Sequence, residues 1–105
     1  MVVVPFPFFA RVGFKPRPAL VVAHWDFLAY THYLLCAVSS AAADDKTSLE
    51  LRTIDFATGS LNRPSFARPA YLFSVDESLI ERKKAALKPG RVADVAAKII
   101  GLIQP

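Results

Sequence analysis

The chain has one cysteine and two histidines among its 105 residues, which sets aside two kinds of chemistry at once. A lone thiol cannot close an intramolecular disulfide, so cysteine usage gives no sign of a secreted scaffold. His24 and His32 stand apart across a loop, and one cysteine added to them does not make a metal-ligand cluster. Glycine is also sparse: the four glycines, at 13, 59, 90 and 101, are too scattered for a phosphate-cradling loop. No apolar run approaches the roughly 18–20 residues of a membrane-spanning helix. The longest, Ala19–Ala23 and Tyr33–Val38, have the length of strands. The apolar N-terminal segment lacks a basic flank, and Pro5 and Pro7 would break the core of a secretion signal. The expected location is the cytoplasm.

The most informative absence is of acid. The first carboxylate is Asp26, whereas Arg11, Lys15 and Arg17 all precede it. The whole chain carries 13 Lys+Arg against 9 Asp+Glu, a net charge of +4. That excess is modest but uneven, and it predicts an anionic partner, either a nucleic acid or an acidic protein. Arg17 is followed by Pro18, which restricts its backbone, and no neighbour in sequence neutralises it. It is a ready receptor for a phosphate oxygen.

What the chain has in abundance is apolar side chains. They make up 53% of the residues, with a mean hydropathy of +0.33. A chain of this size forms one domain, residues 1–105, too small for two independent cores. So many apolar residues fit a compact barrel, a face buried against a second copy, or both together.

Val2–Phe8 reads as a β-branched and aromatic strand whose prolines suit an edge or a bulge. Ala19–His24 and Tyr33–Ser39 are short apolar strands, and His24-Trp25-Asp26 leads into a brief loop between them. Ser39–Lys46 is a loop by its small polar composition. Ser48–Ile54 alternates, with Leu49, Leu51 and Thr53 on one side and Glu50 and Arg52 on the other. Turns are expected at Thr58-Gly59-Ser60 and Asn62–Ser65, then a strand at Ala70–Val75. Asp76-Glu77-Ser78 signals a turn or helix start, and Ser78–Ala85 fits either a final strand or a helical turn. After an interruption at Pro89-Gly90, Val92, Val95, Ala96, Ile99 and Ile103 recur at helical spacing. No connection before residue 76 is long enough for a helix, so parallel βαβ units are excluded.

Few residues carry chemistry. Cys36 lies inside Leu34–Val38, and its reading as a small core residue outweighs a thiol paired with His32. Ser39, His32 and Asp26 could be drawn as a triad, but their spacing carries no signal. Arg17 with Lys15, and Ser39-Ser40 at the end of a strand, are the two remaining features. Taken singly, they also read as a solvated loop charge and as strand-end capping hydroxyls.

Together with their surroundings these residues resemble a known family. Val2–Phe8 (VVVPFPF), a short loop and Lys15–Val22 (KPRPALVV) are similar to the opening of MazF/PemK toxins, commonly V-P-F-P-F followed by R-P-A-L-V-L. Leu34–Ser40 (LLCAVSS) looks like the family's third strand, which ends in an I-T-S-like triplet. Gly59–Ile80 (GSLNRPSFARPAYLFSVDESLI) is similar to the family's G-L-x-x-P-S-x-x-R-P-x-x-L-F-T-x-D-x-S-L-I stretch, and the C-terminal helix is where the family has one.

The resemblance implies a mainly β fold, a small SH3-like barrel of the CcdB/MazF/PemK type. It would have five to six strands and a C-terminal α-helix, paired as a homodimer. It implies a metal-independent endoribonuclease without a cofactor that cleaves single-stranded RNA at short sequences. The partners implied are RNA and a cognate antitoxin with an acidic, partly disordered tail, and the toxin–antitoxin complex would bind DNA. Arg17 matches the catalytic arginine. Ser39 stands where the family usually has a catalytic threonine, with Ser40 in its place if the register shifts by one. Lys15 supports Arg17. Arg63 and Arg68 read either as contacts to the RNA backbone or as solvated charges, and Lys83-Lys84 as a solvated face. Two departures from the pattern are that the strand follows Met1 at once and that the first loop carries no acid. The alternative is a non-catalytic protein of the same fold, a degenerate toxin or a CcdB-like poison of a protein target.

Overall fold

Residues that alternate about an extended backbone send successive side chains to opposite faces, and here both faces are apolar. The computed structural model describes residues 1–6, 15–40 and 46–104. Pro7 and Phe8 of the expected first strand, Arg11, and residues 41–45 of the expected polar loop lie outside that range. Eight strands are present among the described residues: β1 (Val2–Phe6), β2 (Lys15–Phe27), β3 (Tyr30–Ser39), β4 (Leu49–Leu51), β5 (Phe56–Thr58), β6 (Ser65–Asp76), β7 (Arg82–Lys83) and β8 (Ala86–Leu87). One helix, α1 (Pro89–Ile103), follows them.

Six strands form one antiparallel sheet in the order β4-β6-β3-β2-β1-β7, and β5 pairs with β8 in a separate ribbon. The expected mainly β fold with a C-terminal helix is therefore present. Among the described residues the ladder is open, with β4 and β7 at its edges, and it bends at two register breaks. Between β2 and β3 the pairing jumps from Val21 to Ala23. Between β3 and β6, Cys36 faces Leu72 but Ala37 faces Arg68, so Pro69, Ala70 and Tyr71 are skipped. Pro69 has no N–H to give the ladder, which explains the break at that point.

Two clusters lie against the two faces. One joins Leu20, Cys36, Val38, Leu51 and Ala67 to Val95 and Ile99 of the helix. The other holds Val4, Ala19, Leu35 and Val75, with half-buried Val2, Val21, Tyr33, Phe73 and Ile80 around it. Neighbours such as Ala19 and Leu20, or Leu35 and Cys36, thus belong to different clusters. That double-sided burial accounts for the high apolar content.

Several elements differ in extent from the expectation. β2 and β3 continue to Phe27 and from Tyr30, so His24-Trp25-Asp26 is strand and only Leu28-Ala29 turns. Leu28 takes a positive φ of 57°, which the tight reversal imposes on a residue that would otherwise avoid it. The strand expected over Ser48–Ile54 stops at Leu51; Thr53–Asp55 is a 3₁₀ turn, closed by the Arg52 N–H donating to Asp55 Oδ2 (2.8 Å). Ser78–Ala85 contains both alternatives, a 3₁₀ turn over Glu77–Leu79 and then β7. The Asp76 carboxylate accepts from the Ser78 N–H (2.8 Å) and from its hydroxyl, and these bonds hold its pKa below the usual carboxylate range. Pro89-Gly90 opens the helix, because proline fits a first helical position whose N–H has no partner to lose. Of the predicted apolar stripe Val95 and Ile99 are buried, whereas Ile103 in the last turn is exposed.

Gly59 sits in the predicted Thr58–Ser60 turn with a φ of +67°. A Cβ there would lie 3.0 Å from the Ala85 Cβ and 3.0 Å from the Lys84 carbonyl oxygen. Gly101 in the helix has nothing within 4 Å of such an atom. Gly59→Ala is expected to lower stability by about 2 kcal/mol through strain and contact. Gly101→Ala is expected to raise it by about 0.5–1 kcal/mol through helix propensity. Denaturant unfolding midpoints of the two variants measure both effects.

Candidate functional site

The site begins with how the start of β1 is paired. Val3 faces Pro18 of β2 on one side and Arg82 of β7 on the other. The β7 segment is held there by Glu81 N–H donating to the Val3 carbonyl (2.8 Å) and Lys84 N–H to the Met1 carbonyl (2.9 Å). Residues distant in sequence are thereby brought to one opening. It is a cavity of about 430 Å³ lined by Lys15, Pro16, Arg17 and Pro18, by Val3, Val38 and Ser40, by Leu61, Asn62, Arg63 and Ser65, and by Arg82 and Lys84.

Five of these side chains are cations, Lys15, Arg17, Arg63, Arg82 and Lys84, and none is an acid. Arg17 is half-buried, and no described carboxylate pairs with it. Lysine and arginine gathered without a counter-ion raise the local potential and favour an anion. Arginine adds a planar fork that matches two phosphate oxygens at once. The Ser40 hydroxyl can donate to a third oxygen. Among the described residues the lining contains no His, Asp, Glu or Cys, so these side chains can bind and polarise a phosphate but themselves supply no general base working near neutral pH.

The predicted residues divide. Arg17, Lys15 and Arg63 share the cavity, and so does Ser40. Ser39 does not line it, because alternation along β3 puts Val38 and Ser40 on one side and Ser39 on the other. Arg68 is also elsewhere: it faces Ala37 across the β3–β6 ladder, with its guanidinium 4.5 Å from the Tyr71 ring centroid. Lys84, expected to be part of a solvated face with Lys83, lines the cavity, while Lys83 is exposed. Arg82 and Asn62 were not singled out by the sequence reading. In Arg82-Lys83-Lys84 the first and third residues share a face, so strand alternation was the signal available.

The other candidates are settled by their surroundings. Cys36 is fully buried; burial pushes its thiol up to about 11, and Sγ donates weakly to the Ala37 carbonyl (3.6 Å). A thiol so protonated is a poor nucleophile. His32 stacks on Trp25 with centroids 5.9 Å apart, and Asp26 accepts from the Thr31 hydroxyl (2.8 Å). Both lie at the opposite end of β3 from Ser39, a separation of roughly 20 Å at strand rise, which excludes a triad. Among the described residues no three His, Cys, Asp or Glu side chains are grouped to hold a metal ion. No described helix is long and apolar enough to cross a membrane.

Comparison with curated proteins finds no match. Comparison with protein families finds one whose model covers residues 2–103, the PemK-like, MazF-like toxins of type II toxin–antitoxin systems. The match includes β1, the Arg17–Pro18 strand start, the end of β3 and the Asn62–Ser65 loop, all of which contribute to the cationic cavity. On that coverage the chain belongs to the PemK-like, MazF-like toxin family of type II toxin–antitoxin systems.

Proposed function

We propose that this toxin is a sequence-specific, metal-independent endoribonuclease that cuts single-stranded RNA in the cytoplasm and so arrests translation and growth. The observation that supports it most directly is the convergence of five cations and the Ser40 hydroxyl on one cavity that no carboxylate lines among the described residues. The family to which the chain belongs generally consists of ribonuclease toxins, and membership implies a cognate antitoxin.

In the reaction the substrate provides its own nucleophile. The ribose 2′-oxygen attacks the adjacent phosphorus, the bond from phosphorus to the 5′-oxygen breaks, and the products are a 2′,3′-cyclic phosphate and a 5′-hydroxyl. The 2′ proton leaves to solvent and the 5′-oxygen takes one up. DNA lacks the attacking group and is not a substrate. Arg17 spans two equatorial oxygens and gains strength as they become more negative, while Ser40 donates to a phosphoryl oxygen. Lys15, Arg63, Arg82 and Lys84 hold the flanking phosphates and keep the scissile one in line. Serine lacks the methyl that restricts a threonine rotamer, so Ser40 is held less firmly than a threonine would be.

A second copy completes this reading. Around the buried cluster of Val4, Ala19, Leu35 and Val75, the half-buried Val2, Val21, Tyr33, Phe73 and Ile80 leave apolar surface that pairing as a homodimer would bury. The acidic antitoxin tail would compete with RNA for the same cations.

Expression in cells without antitoxin, with RNA 5′ ends mapped, tests the reaction. The wild type should arrest growth and leave new 5′-hydroxyl ends. Arg17→Ala should lower cleavage by at least about 100-fold and Ser40→Ala by about tenfold. Ser39→Ala should stay near wild type. Arrest that persists in Arg17→Ala with intact RNA would refute the proposal and favour a non-catalytic poison of a protein target. Sedimentation of the purified chain should give the mass of a dimer.

A further inference from the structure

The Ser60–Pro64 segment has a second side. There it closes, with Glu50–Thr53 and Phe56, another cavity of about 380 Å³. Leu61, Asn62 and Arg63 are common to both cavities and form the wall between them.

The two cavities differ in charge. Among the described residues the Arg17 cavity is lined by five cations and no acid. In the second, Arg52 Nε lies 3.5 Å from Glu50 Oε2, which leaves the shared Arg63 as its one cation outside an ion pair among the described residues. The rest of its lining includes an aromatic ring, Phe56, the apolar Leu51, Leu61 and Pro64, and the Asn62 amide. A phosphate gains little here, and the Glu50 carboxylate also disfavours an acidic peptide. A planar group with apolar faces and a hydrogen-bonding edge fits, and a nucleobase is such a group. Asn62 offers a donor and an acceptor side by side in one plane, the complement of a base edge.

The far wall is braced. Arg91, in the first turn of α1, donates through Nη2 to the Glu50 carbonyl (2.6 Å), and its Nε lies 3.6 Å from Asp55 Oδ2. The same Asp55 oxygen accepts from the Arg52 N–H (2.8 Å). At the shared wall the Ser65 hydroxyl donates to the Arg63 carbonyl (3.0 Å). A site fixed before binding loses less freedom on binding, which is what discrimination between similar ligands requires.

We propose that the second cavity is a nucleobase subsite of the RNA groove, with Asn62 reading the edge of the base attached to the phosphate held beside Arg17. The proposal rests on the ribonuclease reading for its place in the reaction, but binding of a base can be measured independently of cleavage.

The test has two arms. In the first, the intact protein is titrated with each of the four uncharged nucleosides and, separately, with inorganic phosphate, followed by amide and aromatic NMR shifts. At least one nucleoside should move the Asn62 side-chain amide and the Phe56 ring, and phosphate should instead move the Arg17 and Ser40 signals. In the second arm, cleavage sites of the wild type and Asn62→Ala are mapped on one RNA pool. Among the cuts it makes, the variant should lose about tenfold of the wild type's preference for one base beside the cut. Loss of cleavage in the wild type would overturn the ribonuclease reading alone, and nucleoside binding at Asn62 would still support the subsite. Silence of Asn62 and Phe56 toward every nucleoside overturns the subsite, as does an unchanged site preference in Asn62→Ala. A shift of these signals by an acidic peptide and by no nucleoside also overturns it.

Discussion

Everything at the cationic cavity depends on β1 being paired along both edges. One strand, near its start at Val3, pairs with Pro18 on one side and Arg82 on the other. Arg17 and the Arg82–Lys84 segment are separated by most of the chain, and neither carries its own scaffold. Backbone hydrogen bonds to β1 fix both, and Val3 and Val4 are nearly inaccessible to water. A mispaired β1 would also move its alternating side chains to the wrong face, since a one-residue slip inverts every side chain. The buried valines and the cation cluster are therefore two consequences of one register.

That register brings like charges together. Five cations around one opening repel each other, and among the described residues no carboxylate in the lining offsets them. The opening is solvated, so water and salt weaken the repulsion without removing it. A polyanion bound there relieves the repulsion and stabilises the fold that holds it, because a ligand specific for the folded state shifts the unfolding equilibrium. The contrast with Arg91 is instructive. That arginine lies near Asp55 and Asp94 and donates to the Glu50 carbonyl, and it ties the helix to the edge of the sheet. The same side-chain type is structural where acids surround it and available for a ligand where they do not.

Much of this was legible in the sequence, for reasons that differ by element. The apolar period gave the strands around Leu20 and Leu35 and the helix face of Val95 and Ile99, because burial alone decides those positions. The Thr58-Gly59-Ser60 turn was legible because only glycine takes its positive φ without strain. Strand ends were not: β2 and β3 outlast their apolar stretches through pairing of His24–Phe27 with Tyr30–Tyr33, which hydrophobicity does not encode. Arg17 was legible from the lack of nearby acid. Which of Ser39 and Ser40 lines the cavity was not, because motif spacing is good to about one residue and a strand changes face at each step. The place of Arg82 and Lys84 at the cavity was not legible because β7 is only two residues long and its pairing with β1 joins segments far apart in sequence.

On the proposed reading the two cavities would divide the work by chemistry. Charge would attract every RNA phosphate alike, so the Arg17 side would bind and activate but could not choose a sequence. Choice requires a group that distinguishes base edges, and such a group works best where free charge does not dominate. The Glu50–Arg52 pair neutralises one side of the Leu61–Arg63 wall while the other side remains strongly cationic. A single short loop between them can thus place a phosphate and its own base in different electrostatic surroundings, and Asn62 occupies the boundary where both are within reach.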